Sequence, residues 1–163
     1  MTEQKQILHV LAEIAHVFNR EQIHWALGAS MLLYFCGKTD VFHDIDLMVS
    51  VQDAEYARRL LLEMNAKETY RATNKMYRTK YFYEFVLQKV DIDLMAGMII
   101  VHDGKEEDCS LREEKIEQYT EVECERIPLY SLAEWRQFYA WMGRRKKVKM
   151  IGRKGVKEIP ELW

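Results

Sequence analysis

The sequence predicts an α/β (α+β) domain: a small mixed β-sheet flanked by helices, with a short helical extension at the C-terminus. Three observations predict it. Apolar residues recur at helical spacing over 3–19, 54–64 and 132–143. Short apolar runs that read as strands stand between those segments, at "DIDLMVS" (44–50), "YFYEFVL" (81–87) and "VDIDLMAGMII" (90–100), the two Asp-containing runs with the two-residue period of a strand. The order is helix, strand, helix, strand, helix, strand, strand, helices, over 163 residues, enough to bury one real core.

Each element has a local reason. Ile7, Leu8, Leu11, Ile14, Ala15 and Phe18 form one stripe of an amphipathic first helix. "IHWALG" (23–28) is a buried strand ending at Gly28, and "ASMLLYFCG" (29–37) is a two-turn helix stopped by Gly37. "KTDVFH" (38–43) is a turn into the next strand. Asp53 is expected to start a helix that turns Ala54, Ala57, Leu60, Leu61 and Met64 inward. Gln88 and Lys89 read as a tight turn between two strands, the second running unbroken to Ile100. The polar segment 103–125 reads as loop plus irregular strand. Ser131, with Glu134 three residues on, has the capping-box pattern, and a basic helix is expected from Arg144 to Ile151. The division is a core domain, 1–127, and a helical extension, 128–163, packed on it as one structural unit.

Composition narrows the function. With 48% hydrophobic and 31% charged residues the chain reads as a globular protein, and a net charge of -2 argues against bulk nucleic-acid binding. Charge is uneven: "DGKEEDCSLREEKIEQYTEVECE" (103–125) is acidic on balance and "GRRKKVKMIGRKGVK" (143–157) strongly basic. No long apolar run suggests a membrane span. Cys36, Cys109 and Cys124 fit neither a disulfide framework nor a zinc spacing, which points to a reduced, cytoplasmic compartment. His9, His16, His24 and His102 make no zinc pattern either.

The chemistry lies in "HDIDLM" (43–48). On a strand Asp44 and Asp46 share one face, where like charges repel, and Asp is a poor strand former. Upstream, "WALGAS" (25–30) gives a strand, a Gly28 turn open to close backbone approach, and Ser30 at a helix start, a place suited to phosphate. Thirteen residues separate Ser30 from Asp44, enough for a short helix and a return strand. "VDIDLMAG" (90–97) repeats the device with Asp91 and Asp93, so a third acid near the first two would complete a magnesium site. Bound cations would offset the repulsion that makes these acids costly in a strand.

"LGAS", thirteen residues, then "DIDLMV" resembles the signature of the nucleotidyltransferase superfamily that includes DNA polymerase beta. The likeness to small bacterial members, including lincosamide-type antibiotic nucleotidyltransferases, extends to "VDIDLMAG" and "IPLYSLAEWRQFYAWMGRRKK" (127–147). It implies the minimal nucleotidyltransferase fold. It implies that Gly28, Ala29 and Ser30 hold the triphosphate of ATP or another nucleoside triphosphate, and that Asp44 and Asp46 bind magnesium, two ions in all. The third acid, as base or ligand of the second metal, is Asp93, with Asp91 as the alternative. Ala29 stands where many relatives have a second glycine.

Simpler roles compete for several of these residues. His43 suits a nucleotide contact or a structural turn, and Ser30 a helix cap or a phosphate contact. Most of the basic run suits a solvated helix face, with Lys147 the candidate phosphate contact. Trp135, Tyr139 and Trp141 read as packing residues. The expected function is transfer of a nucleoside monophosphate, AMP from ATP, to a hydroxyl on a small molecule or macromolecule, with pyrophosphate leaving. The rivals are a catalytically silent nucleotide-binding or protein-interaction member of the same fold, and a metal-dependent nuclease. A homodimer is a further expectation for so small a domain.

Overall fold

The computed structural model describes residues 2–69 and 77–152. Residues 153–157 of the basic run, and with them the last part of the expected extension, lie outside the described residues. Helix α1 (Glu3–Arg20) opens on Thr2, whose hydroxyl accepts the Lys5 N–H at 3.2 Å. Its stripe of Ile7, Val10, Leu11, Ile14, Ala15 and Phe18 is buried. Burying each large aliphatic side chain contributes about 1.5–3 kcal/mol before entropy is counted. Strand β1 (Trp25–Gly28) follows, and Trp25 meets Phe18 edge to face at 5.7 Å. Helix α2 (Ala29–Phe35) ends as expected at Gly37, which has φ +74°, and the Lys38 N–H closes the end onto the Leu33 carbonyl at 2.8 Å.

Strand β2 (Asp44–Val49) leads through a single 3-10 turn to helix α3 (Ala54–Glu63). Asp53 sits at the start of α3 but does not cap it. Its carboxylate accepts the His24 backbone N–H at 2.8 Å and contacts the His24 ring at 2.9 Å, while Ser50 accepts the Asp53 N–H. Strand β3 (Lys67–Thr69), with too few residues to show a period, pairs with β4 (Tyr81–Leu87). Gln88 and Lys89, at φ +50° and +67°, make the two-residue turn into β5 (Val90–Ala96). The expected strand to Ile100 is broken at Gly97 (φ +63°), and β6 (Ile99–His102) leaves to pair with β7 (Lys105–Asp108) in a separate two-stranded sheet.

The region expected to be loop plus irregular strand holds β7, β8 (Ile116–Val122) and the start of β9 (Glu125–Tyr130). Ser131 caps α4 (Leu132–Trp141) by accepting the Glu134 N–H at 3.1 Å. The reciprocal half of the box is absent, because the Glu134 carboxylate pairs with Arg112. Helix α5 (Arg145–Gly152) packs on α4.

The main sheet has seven strands in the order β3-β4-β5-β2-β1-β9-β8, mixed because β2–β5 and β1–β9 are parallel and the other pairs antiparallel. Strand β9 runs past the expected division at residue 127, so the sheet includes residues on both sides of it. Ile45, Leu47, Ile92 and Leu94 point away from the acids and are buried, and α1 and α3 lie against β2 and β5. The opposite face of β2 and β5 carries the acids.

Candidate active site

Strands β2 and β5 run parallel with Asp44 opposite Asp91, Asp46 opposite Asp93 and Met48 opposite Met95. All four acids therefore share one face of two adjacent strands. Carboxylate oxygens of Asp44, Asp46 and Asp93 come within 4.8 Å of one another. Asp91 is exposed and stands outside this cluster, although its charge reaches Asp44. Burial, then the neighbouring Asp91 charge, hold the Asp44 carboxyl above its ordinary value, with His43 and Lys147 acting the other way. At Asp44, burial and the Asp91 charge thus outweigh the compensation from His43 and Lys147. Three close carboxylates at the edge of an open cleft form a hard, anionic donor set, and these residues fit a magnesium ion.

The acids line a cleft of about 1360 Å³ that also takes in Ala29, Ser30, His43 and Lys147. The Lys147 ammonium is held below its ordinary pKa by burial and by Arg144, against the pull of Asp44 and Asp46. The structure therefore brings Lys147 from α5 to Asp44 and Asp46 of β2, more than 100 residues earlier in the chain. His43 lies at the rim, largely exposed, with Glu3 at 3.7 Å.

Gly28 does not line the cleft. Close approach there is made by the Trp135 indole: a Cβ at Gly28 would lie 2.5 Å from its ring. The Gly28 backbone is extended, so space alone favours glycine at this position. Ala29, next to it, adopts φ +54°, a left-handed conformation that costs an alanine about 1–2 kcal/mol. The turn between β1 and α2 thus has its unusual backbone one residue after its glycine.

Several cleft residues were not legible in the sequence. Arg144, just before α5, lies in the cleft with its guanidinium 5.6 Å from the Tyr139 ring. Tyr139 is buried on α4, and burial followed by the Asp46 charge holds its hydroxyl well above the usual value, so it remains a neutral donor. Trp135, also buried, has an indole N–H with no hydrogen-bond partner among the described residues. Helical periodicity explains why Trp135 and Tyr139 are buried, and only the folding of α4 over the β1–β2 end brings them to the acids. None of the three cysteines lines the cleft. Cys109 is buried with its pKa pushed up to about 12 by burial, Cys36 is raised by burial, and Cys124 is exposed.

Solved structures share this fold at low sequence identity. The fold is that of the nucleotidyltransferases. A presumed nucleotidyltransferase from Thermotoga maritima superposes with a TM-score of 0.73 at 22% identity, covering 92% of each chain. The antibiotic-resistance factor ANT(2'')-Ia gives 0.64 at 8% identity, over 92% of this chain and 84% of its own. The lincosamide antibiotic adenylyltransferase LnuA, solved with lincomycin, gives 0.58 at 15% identity, over 87% of this chain and 94% of its own. These identities make the likeness one of fold, and it agrees with the resemblance carried by the two "DIDLM" segments. No protein-family model matches the sequence, and no curated protein matches it. Among the described residues no helix is long and apolar enough to cross a membrane.

Proposed function

We propose that the protein is a magnesium-dependent nucleotidyltransferase that moves AMP from ATP to a hydroxyl acceptor and releases pyrophosphate. The observation that carries this reading is the convergence of Asp44, Asp46 and Asp93 within 4.8 Å, beside Lys147, in one cleft. Neighbours of the same fold include an adenylyltransferase solved with its antibiotic, which supports adenylyl transfer as the reaction class. Magnesium held by the three acids would neutralise charge on the phosphates and on the departing pyrophosphate.

The chain's own groups supply the rest. Lys147 and Arg144 place positive charge against the triphosphate, and Ser30 offers its hydroxyl and N–H from the β1–α2 turn. Asp93 stands on the strand next to the other two acids and takes the proton of the acceptor hydroxyl. The acceptor oxygen forms a bond to the α-phosphorus, the bond from that phosphorus to the bridging oxygen breaks, and pyrophosphate carries away the electron pair. Positioning and charge compensation provide most of the rate.

The test is incubation with ATP labelled at the α-phosphate and a mixed pool of hydroxylated small molecules. The expected outcome is a labelled, pyrophosphate-releasing transfer that needs magnesium and disappears in Asp46→Ala. Transfer at the wild-type rate by Asp46→Ala would contradict the reading.

A further inference from the structure

Beyond the acids, the sheet face changes character within one step. On β5, Asp93 is followed on the same face by Met95, about 6.8 Å further along a strand. Phe82 on β4 is the register partner of Met95 and lies beside it. Met98, and Met142 and Met150 from the end of α4 and from α5, also line the cleft, so four of the nine methionines in the chain face one cavity, Met95 and Met98 being mostly buried beside the more exposed Phe82. Among the described residues few large apolar side chains are exposed, yet Phe82 and Val41, at 40% and 53% exposure, both line this cleft. Methionine and aromatic side chains adapt to varied apolar ligands at small cost.

Charge narrows the ligand further. Among the described residues, the carboxylates lining the cleft are the three of the cluster. Glu84, register partner of Asp93, does not line it. The remaining ionisable groups of the wall are His43, Arg144, Lys147 and two tyrosines, Tyr77 and Tyr139. A polyamine would find no carboxylate lining the cleft, among the described residues, beyond those that fit the metal, an arrangement that selects against it. Volume allows two ligands together: 1360 Å³ exceeds the roughly 300–1,000 Å³ of a site for one drug-sized molecule.

We infer that the acceptor is a neutral, hydroxyl-bearing small molecule with an apolar or aromatic body, seated on the wall of Met95, Phe82 and Met98 with its hydroxyl towards Asp93. This rests on the proposed nucleotidyl transfer and names its acceptor class. The wall sits one strand step from the acid that would take the acceptor proton. The same wall disfavours polycationic acceptors such as the aminoglycosides.

The test is direct binding, by calorimetry, of a panel of hydroxylated compounds with matched sizes: neutral aromatic or alicyclic alcohols, sugars, and polyamines represented by tobramycin. The full chain is first titrated with the magnesium complex of a non-hydrolysable ATP analogue alone. Failure of that titration counts against nucleotidyl transfer and leaves the panel readable in its own right. The expected result is that neutral apolar alcohols bind best, at least tenfold tighter than sugars or tobramycin. Phe82→Glu, at an exposed strand position, should weaken them about tenfold and narrow the gap to tobramycin. A polyamine or sugar as the tightest ligand, or no neutral apolar alcohol binding, would overturn the assignment. So would a Phe82→Glu protein with an unchanged ranking.

Discussion

The pentapeptide Asp-Ile-Asp-Leu-Met occurs twice, at 44–48 and 91–95, and the fold lays the two copies side by side in parallel register. Their apolar residues behave alike: Ile45, Leu47, Ile92 and Leu94 are all buried. Their acids do not. Asp44, Asp46 and Asp93 converge, while Asp91 remains exposed and outside the cluster. The difference lies in what surrounds each strand. Strand β2 is flanked by β1 and β5 and sits below the β1–α2 turn, whereas β5 has β4 on its other side and its Asp91 end opens to solvent. Identical sequence therefore supplies identical facing, and tertiary position decides which carboxylates can share a ligand.

The largest effect that would break this comparison is catalytic. Asp44→Ala, Asp46→Ala and Asp93→Ala should each lower adenylyl transfer by roughly 10²–10³-fold, the scale expected when a charge-stabilising group is removed. Asp91→Ala should retain turnover within about threefold. Steady-state kinetics on the four proteins decides it, and an Asp91→Ala enzyme as impaired as Asp93→Ala would erase the distinction between the two acids.

A second effect concerns the turn above β2. Gly28→Ala places a Cβ 2.5 Å from the Trp135 ring, so the indole or the helix carrying it must move. Overpacking of this kind costs about 1–3 kcal/mol. Urea denaturation should show the loss, together with a changed tryptophan fluorescence spectrum. An unaltered spectrum at full stability would mean that Trp135 does not rest on Gly28.

The third effect is smaller and depends on pH. Asp44 is raised above its ordinary value by burial and by Asp91, so the folded chain binds more protons than the unfolded one between the unfolded and folded pKa. Stability from this group accordingly falls as pH rises through that window, and the full cost of its charge is present above it. Asp44→Asn should raise Tm at pH 7 and bring no gain near pH 3. Magnesium should raise the Tm of the wild type more than that of the variant. Equal Tm values for the two proteins at pH 7 without magnesium would contradict the account of uncompensated charge.

The smallest effect is at Ala29. Glycine accepts φ +54° freely but is also freer in the unfolded chain, so Ala29→Gly should gain at most about 1 kcal/mol. Thermal denaturation checks it. A clear loss of stability would show that the methyl group packs well enough to outweigh the backbone strain.

Much of this was legible in the sequence, for identifiable reasons. Helix α1 buries one stripe, β2 and β5 alternate acids with buried Ile and Leu, and β4 is an apolar run, so all four are marked in the residue order. The strands within 103–125 do not. Strand β7 is Lys-Glu-Glu-Asp, and β8 is an edge strand with four exposed positions of seven, so no apolar alternation marks either. One signal was present: Asp103-Gly104, the dipeptide of a two-residue hairpin turn, joins β6 to β7. The turn at Glu123 and Cys124 adopts the same left-handed pair without glycine or asparagine and had no such mark. In the site, spacing identified all four acids but left Asp91 and Asp93 equivalent, since both occupy one strand face. Burial and the position of β2 separate them. Arg144 looked like its neighbours in a basic run, and the fold of α4 and α5 over the sheet is what distinguishes it.

On the proposed function, the three converging acids form a magnesium-dependent nucleotide site. Calorimetric titration with a non-hydrolysable ATP analogue, with and without magnesium, on the wild type and on an Asp44→Asn/Asp46→Asn double variant tests it most directly. The expected result is binding that requires magnesium in the wild type and is lost in the double variant. Equal binding by both proteins, or none by the wild type with any nucleoside triphosphate, would contradict it.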